Sequence, residues 1–176
     1  MSDKPERDAI QWRELPGFSS AATDLPSVPI VKVAQAVLRS VQDHLNGDIT
    51  IERMGLLLGY VEQQVGAPLI VNILASHPLH SLSASSTHVA MLRDQWPSAW
   101  RHFTPVKPDI QLLGWYHSHP GHGIFLSTTD LNTQALWFRQ QWHVALVYDP
   151  ISSTLGAFCG PQGCRTPILA TDSNDR

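Results

Sequence analysis

Gly114-Trp115-Tyr116-His117-Ser118-His119-Pro120 decides how this chain is read, together with Ser127-Thr128-Thr129-Asp130 a short way downstream. Ile110, Leu112, Leu113, Trp115 and Tyr116 predict a strand over residues 110 to 119. On a strand, positions i and i+2 project from the same face, so His117 and His119 point into one space. Pro120 donates no ladder hydrogen bond, and Gly121 and Gly123 permit the positive backbone angles of a tight loop, which ends the strand and turns the chain back. Asp130 then falls on the first turn of a helix predicted over residues 128 to 141, with Leu131, Ala135, Leu136 and Phe138 on its apolar side. Two imidazoles and one carboxylate hold a zinc ion with its fourth position open, the arrangement of a catalytic rather than a structural metal. One zinc per chain, held by His117, His119 and Asp130, is the expectation.

Ser127-x-x-Asp130 also reads as a helix N-cap with an acidic residue at N3. Cap and ligand are compatible roles. A hydrolytic zinc site further needs a base for its water, and glutamate is scarce: the chain has Glu6, Glu14, Glu52 and Glu62. Glu52 leads into the apolar run Met54-Gly55-Leu56-Leu57-Leu58-Gly59, an unusual place for an acid. Taken alone it is a solvent-facing strand end, paired with Arg53. Beside the His-x-His motif it becomes the candidate base.

Glu52-x-Met54-Gly55-Leu56-x-Leu58-Gly59, Gly114-Trp115-Tyr116-His117-Ser118-His119-Pro120-Gly121, Leu126-Ser127-x-x-Asp130 and Asn132-Thr133-Gln134 closely resemble the JAMM, or MPN-plus, metalloproteases. Among these, the likeness is to the deubiquitinating and deneddylating subunits of the proteasome lid and the signalosome, and it runs from about residue 28 to about residue 160. The resemblance implies that His117, His119 and Asp130 ligate zinc with a water in the fourth position. It makes Glu52 the general acid/base and Ser127 the residue that stabilises the oxyanion. It implies cleavage of isopeptide or peptide bonds after the C-terminal glycines of ubiquitin or a ubiquitin-like protein, either from conjugates or from a precursor. A sulfur-carrier protein joined to a small amino acid is a third substrate option. The sequence departs from the pattern at Ile124 and Phe125, where eukaryotic relatives favour Cys and Trp, and at His122. These three positions are the candidate substrate contacts.

The fold implied is α/β (α+β): a single MPN/JAB domain with a curved, mixed, mainly antiparallel sheet flanked by helices and a zinc site at one end, a cytidine-deaminase-like layering. Short insertions suggest a minimal, prokaryotic version. Relatives often act with a partner subunit, and an apolar helix face would serve that contact or a homodimer. The alternative from a different class is a non-catalytic MPN scaffold, although such scaffolds usually lack a zinc ligand and every motif residue stands here. Other metal folds fit less well, since the His-x-Glu with Pro-Cys-x-x-Cys of zinc deaminases and a His-Glu-x-x-His helix are both absent.

The 176 residues, 43% hydrophobic and 15% charged, predict one globular domain with a sizeable core. A net charge of −3 leaves no basic footprint for nucleic acid. No run approaches a transmembrane helix and the polar opening is not a signal peptide, so the expected location is the cytoplasm, where Cys159 and Cys164 would be free thiols. Residues 1 to 28 read as a flexible arm, 29 to 164 as the MPN/JAMM domain and 165 to 176 as a mobile tail. Ile30, Val33, Ala34, Val37, Leu38, Val41 and Leu45 predict a first helix. Strands follow at 49 to 61 and 68 to 76, then a polar loop at 77 to 87 and a second helix over 84 to 103 carrying Val89, Leu92, Trp96 and Trp100. Beyond the active-site helix come strands at 143 to 149 and 154 to 159.

Overall fold

Ile30-Val31-Lys32-Val33 alternates between half-buried and fully buried positions, so it forms a strand where a helix was expected. The reason is local. Three of these four residues, Ile30, Val31 and Val33, are β-branched and pack better on a pleated surface than in a helical turn. The helix begins only after Ala34, where Val37, Val41 and Leu45 recur at four-residue spacing. Burying each of these three is worth about 1.5–3 kcal/mol.

The computed structural model describes residues 28–80, Gln95, Arg101 and 110–172. Within them lie strands β1 (Ile30–Ala34), β2 (Met54–Glu62), β3 (Ile70–Leu79), β4 (Gln111–Ser118), β5 (Val144–Asp149), β6 (Thr154–Cys159), β7 (Cys164–Thr166) and β8 (Ile168–Thr171), and helices α1 (Gln35–Asn46) and α2 (Thr128–Trp137). The strands make one mixed sheet in the order β7-β6-β5-β4-β2-β3-β1-β8. β2 runs antiparallel to β3 and β4, as β6 does to β5 and β7, while β1 is parallel to β3 and β8, and β4 to β5. Laid flat, eight strands at a spacing of about 4.8 Å would hold the outer two about 34 Å apart. Yet only Pro167 separates β7 from β8. The sheet must therefore curl until its edges come together, and there the Val31 N–H donates to Pro167 O at 3.0 Å while the Thr166 hydroxyl donates to Pro29 O.

Several expected boundaries move. Residues 164–171, most of them expected in a mobile tail, form β7 and β8, because pairing with β1 satisfies the backbone of β8. β2 starts at Met54 rather than near 49, since Thr50 donates twice to Asp48 Oδ1 (2.9 and 2.6 Å) and ties residues 48–50 into a turn. β3 continues through His77 to Leu79, which pairs with Met54, where a loop was expected. α2 stops at Trp137 rather than 141: Phe138 turns into the core, and Gln140 and His143 close a turn on each other. Gln95 and Arg101 are helical, but Val89, Leu92, Trp96 and Trp100 lie outside the described residues, as do residues 1–27 of the expected arm.

The sheet buries both faces. On one, α1 packs Val37, Val41 and Leu45 against Leu57, Val71, Ile73, Leu113 and Tyr116. On the other, Phe138 at the end of α2 joins Met54, Leu56, Leu58, Trp115, Ala145 and Val147. No helix among the described residues is long and apolar enough to cross a membrane.

Candidate metal centre

The register between β2 and β4 slips between Leu57 and Leu58, which pair with Gly114 and Leu112 and leave Leu113 as an extra residue. A bulge of this kind changes which face the rest of the strand presents. Leu113 and Tyr116 accordingly join the α1 side, whereas Leu112 and Trp115 join the α2 side. His117 and His119 follow Trp115 onto the α2 face, where the start of α2 can reach them. Gly114 is required here: its φ is +154°, and a Cβ would stand 1.8 Å from Val144 O on the neighbouring strand.

His117, His119 and Asp130 come together as the sequence reading expects, and together they can hold a metal ion. His117 Nε2 lies 3.1 Å from His119 Nε2, and Asp130 Oδ2 lies 3.4 Å and 3.2 Å from those two nitrogens. All three side chains are at most 3% exposed. Donors placed about 2.0–2.1 Å from the centre of a tetrahedron stand about 3.3 Å from one another, so these three atoms span one tetrahedral face of a size that suits such an ion. No fourth His, Cys, Asp or Glu joins the three among the described residues. Burial disfavours the charged form of His119, but the Asp130 hydrogen bond and charge, with the charge of Glu52, outweigh it and raise its pKa above the ordinary histidine value.

Asp130 and His117 are held by their neighbours. Asp130 Oδ2 accepts the Ser127 N–H at 2.8 Å while Ser127 Oγ accepts the Asp130 N–H at 3.2 Å, a full capping box at the start of α2. Cap and carboxylate donor therefore coincide, as the sequence allows. Because Ser127 Oγ only accepts in that box, its own proton remains free to donate outward. Trp115 stacks on His117 with centroids 4.4 Å apart. Its indole N–H donates to Gln134 Oε1 at 2.8 Å, and Gln134 Nε2 donates to His143 O and Gly160 O. Gln134 thus ties α2, β4 and the end of β6 into one frame around the histidines.

Glu52 is exposed and sits just before β2, where Met54 pairs directly with His117. It lines a cavity of about 290 Å³ with Asp48, Ile51, Arg53, Met54, Leu79 and His80. Ser118, a spacer in the motif, is what fastens this segment. Its Oγ accepts the Arg53 N–H and its N–H donates to Arg53 O, both at 2.9 Å. Phe125 is 45% exposed with its ring 4.8 Å from that of His119. Ile124 is half-buried against Gly156, and His122 is exposed. Sequence reasoning missed Ser118 as a fastener and Asp149 altogether. The only signal for Asp149 is an acid followed by proline at a strand end, which is ordinary turn chemistry.

A family profile described as JAB1/Mov34/MPN/PAD-1 ubiquitin protease matches residues 26–141. The chain belongs to this family. The JAB domain is 30% identical over 168 residues to COP9 signalosome complex subunit 5 of Drosophila melanogaster, covering 91% of this chain and 48% of the relative. It is 29% identical over 140 residues to 26S proteasome non-ATPase regulatory subunit 14 of Dictyostelium discoideum, covering 77% and 44%. The chain thus spans about half the length of these relatives. A protein of Desulfitobacterium hafniense, known from its solution structure, shares the fold with a TM-score of 0.64 at 19% identity, covering 82% of this JAB domain and 95% of that chain.

Proposed function

We propose that this JAB-family chain is a zinc-dependent isopeptidase or peptidase that cleaves after the C-terminal glycines of ubiquitin or a ubiquitin-like protein. The observation that carries the reading is the triangle of His117 Nε2, His119 Nε2 and Asp130 Oδ2, with sides of 3.1, 3.4 and 3.2 Å. Two neutral nitrogens and a carboxylate oxygen suit zinc in a catalytic setting, with one position left over. When bound, zinc supplies Lewis-acid polarisation and brings the pKa of water to about 7.

The chain's own residues would do the rest. Glu52 takes the proton of the attacking water and returns it to the leaving amine, work worth about 10² to 10⁴-fold. Ser127 donates its free hydroxyl proton to the oxyanion of the tetrahedral carbon, a contribution of about 2.7–4 kcal/mol for a well-placed donor. His122, Ile124 and Phe125 line the approach for a glycine-ended tail, and the fold's apolar exposed side chains suit a partner subunit or a second copy. A cytoplasmic location goes with that substrate class.

The test is hydrolysis by zinc-loaded protein of a panel presenting one glycine-ended tail as an isopeptide conjugate, as a linear precursor and as an amino-acid conjugate. Cleavage that stops with a chelator and returns with zinc is the expected result. A fully zinc-loaded chain that cleaves none of them, alone or with candidate partner subunits, would leave a scaffold role in its place.

A further inference from the structure

The geometry points to Asp149 as a positioning residue that sets the shape of the substrate-facing loop between His119 and Phe125. Its carboxylate lies at the end of β5, the parallel neighbour of β4, where Ser118 pairs with Tyr148 and the His119 N–H donates to Tyr148 O at 2.8 Å. From there Oδ1 accepts the N–H groups of Gly121 and Ile151, each at 2.9 Å, and Oδ2 accepts that of Gly123 at 3.1 Å. Both carboxylate oxygens are therefore used on backbone donors, in a side chain only 3% exposed.

The loop needs such an anchor. Gly121 and Gly123 adopt φ of +75° and +80°, which glycine reaches freely but which also makes the unanchored loop costly to order. Gly121 and His122 are exposed, so packing does not hold them. The pin acts at 121 and 123, and Ile124 supplies a second hold further on, filling the space where a Cβ on Gly156 would meet its Cγ2 at 2.3 Å. Directly after these two holds comes Phe125, whose ring lies 4.8 Å from that of His119, so the holds fix where the chain enters that position. Among the described residues the Asp149 carboxylate bonds to the amides of Gly121, Gly123 and Ile151 and not to the side chains of His117, His119 or Asp130, which separates holding the loop from holding the metal.

This role rests on the proposed tail cleavage, and the experiment keeps the two apart. Asp149→Asn and Asp149→Ala are compared with wild type, full chain and zinc-loaded, for zinc content, KM and kcat on a glycine-tail substrate, with amide hydrogen exchange of the wild type measured alongside. Asn keeps one acceptor oxygen but turns an NH₂ group toward a backbone donor, so both variants lose bonds to an ionised acceptor. Unchanged zinc, a KM raised about tenfold or more and a smaller change in kcat is the expected split. In the wild type, the Gly121, Gly123 and Ile151 amides should exchange far more slowly than their exposure suggests. Variants with wild-type KM, or wild-type amides at 121 and 123 exchanging at unstructured rates, overturn the role, and the second readout holds even if the variants do not fold. If the wild type cleaves no tail at all, the proposed function fails while the exchange rates still decide the pin.

Discussion

Tyr116 and His117 are neighbours on β4 and face opposite sides of the sheet, and each meets a histidine. On the α1 side the Tyr116 hydroxyl lies 2.9 Å from His44 Nδ1, and on the α2 side His117 Nε2 lies 3.1 Å from His119 Nε2. The distances are alike and the chemistry is not. Burial pushes the Tyr116 hydroxyl far above the usual phenol range, so it keeps its proton and donates. Burial, with Arg53 and His80 nearby, lowers His44 to about 4, so it stays neutral and accepts. One donor thus meets one acceptor, with the proton of His44 on Nε2, which has no hydrogen-bond partner among the described residues. Across the sheet a carboxylate joins two ring nitrogens, and three atoms able to share a cation converge on one point. A matched pair holds a fold together, whereas converging acceptors ask for a ligand.

The sharpest way to break that contrast is to empty one side. Asp130→Ala should lower bound zinc from about one per chain to near none, because two ligands rarely hold a hydrolytic zinc. Elemental mass spectrometry on gently purified protein measures it, and full retention would mean that the triangle does not define the site. Glu52→Gln should leave zinc in place while turnover falls about 10² to 10⁴-fold. A wild-type rate would remove Glu52 from the chemistry. Ser127→Ala divides its effect between two roles: about 0.5–2 kcal/mol of stability from the cap and a separate fall in kcat from the lost donor. Thermal unfolding of the zinc-loaded variant with matched kinetics tells them apart, and a loss of stability with kcat intact would confine Ser127 to capping.

The α2 side was far more legible in the sequence than the α1 side, and for a physical reason. His117, His119, Ser127 and Asp130 lie within one strand, one loop and one helix start, so short-range periodicity and capping rules bring them together. His44, Tyr116 and Arg53 meet only because α1 packs across β4, which no local spacing encodes. The same limit explains β1, where Ile30, Val33 and Ala34 match helical spacing by coincidence while β-branching and pairing with β3 and β8 decide for a strand. It explains β8 as well. Ile168–Thr171 has no alternation worth reading, and its order comes from a partner strand more than 130 residues away in the chain. Asp149 stayed hidden because its acceptors point at main-chain groups, which carry no sequence signature.

Emptying the α1 side should change stability and leave the metal alone. Tyr116→Phe should cost about 0.5–1.5 kcal/mol with zinc content unchanged. A loss of zinc in that variant would mean the two faces of β4 are coupled. Acid sharpens the comparison last, and its sign is opposite to that of a histidine held by a carboxylate. His44 is lowered to about 4 and the buried His143 to about 3, both below the ordinary value of 6.5. Below pH 6.5 the unfolded chain takes up these protons and the folded chain does not. Their contribution is therefore complete above pH 6.5 and is lost as pH falls toward 4 for His44 and 3 for His143. Zinc release would mask this in the wild type, so metal-free Asp130→Ala protein is the right background for urea unfolding between pH 7.5 and 4.5. Stability should fall steadily over that range, and His44→Leu should make the fall shallower. A curve that is flat below 6.5 would mean that both histidines accept protons within the fold, and for His44 the neutral, accepting role assigned on the α1 side would be wrong.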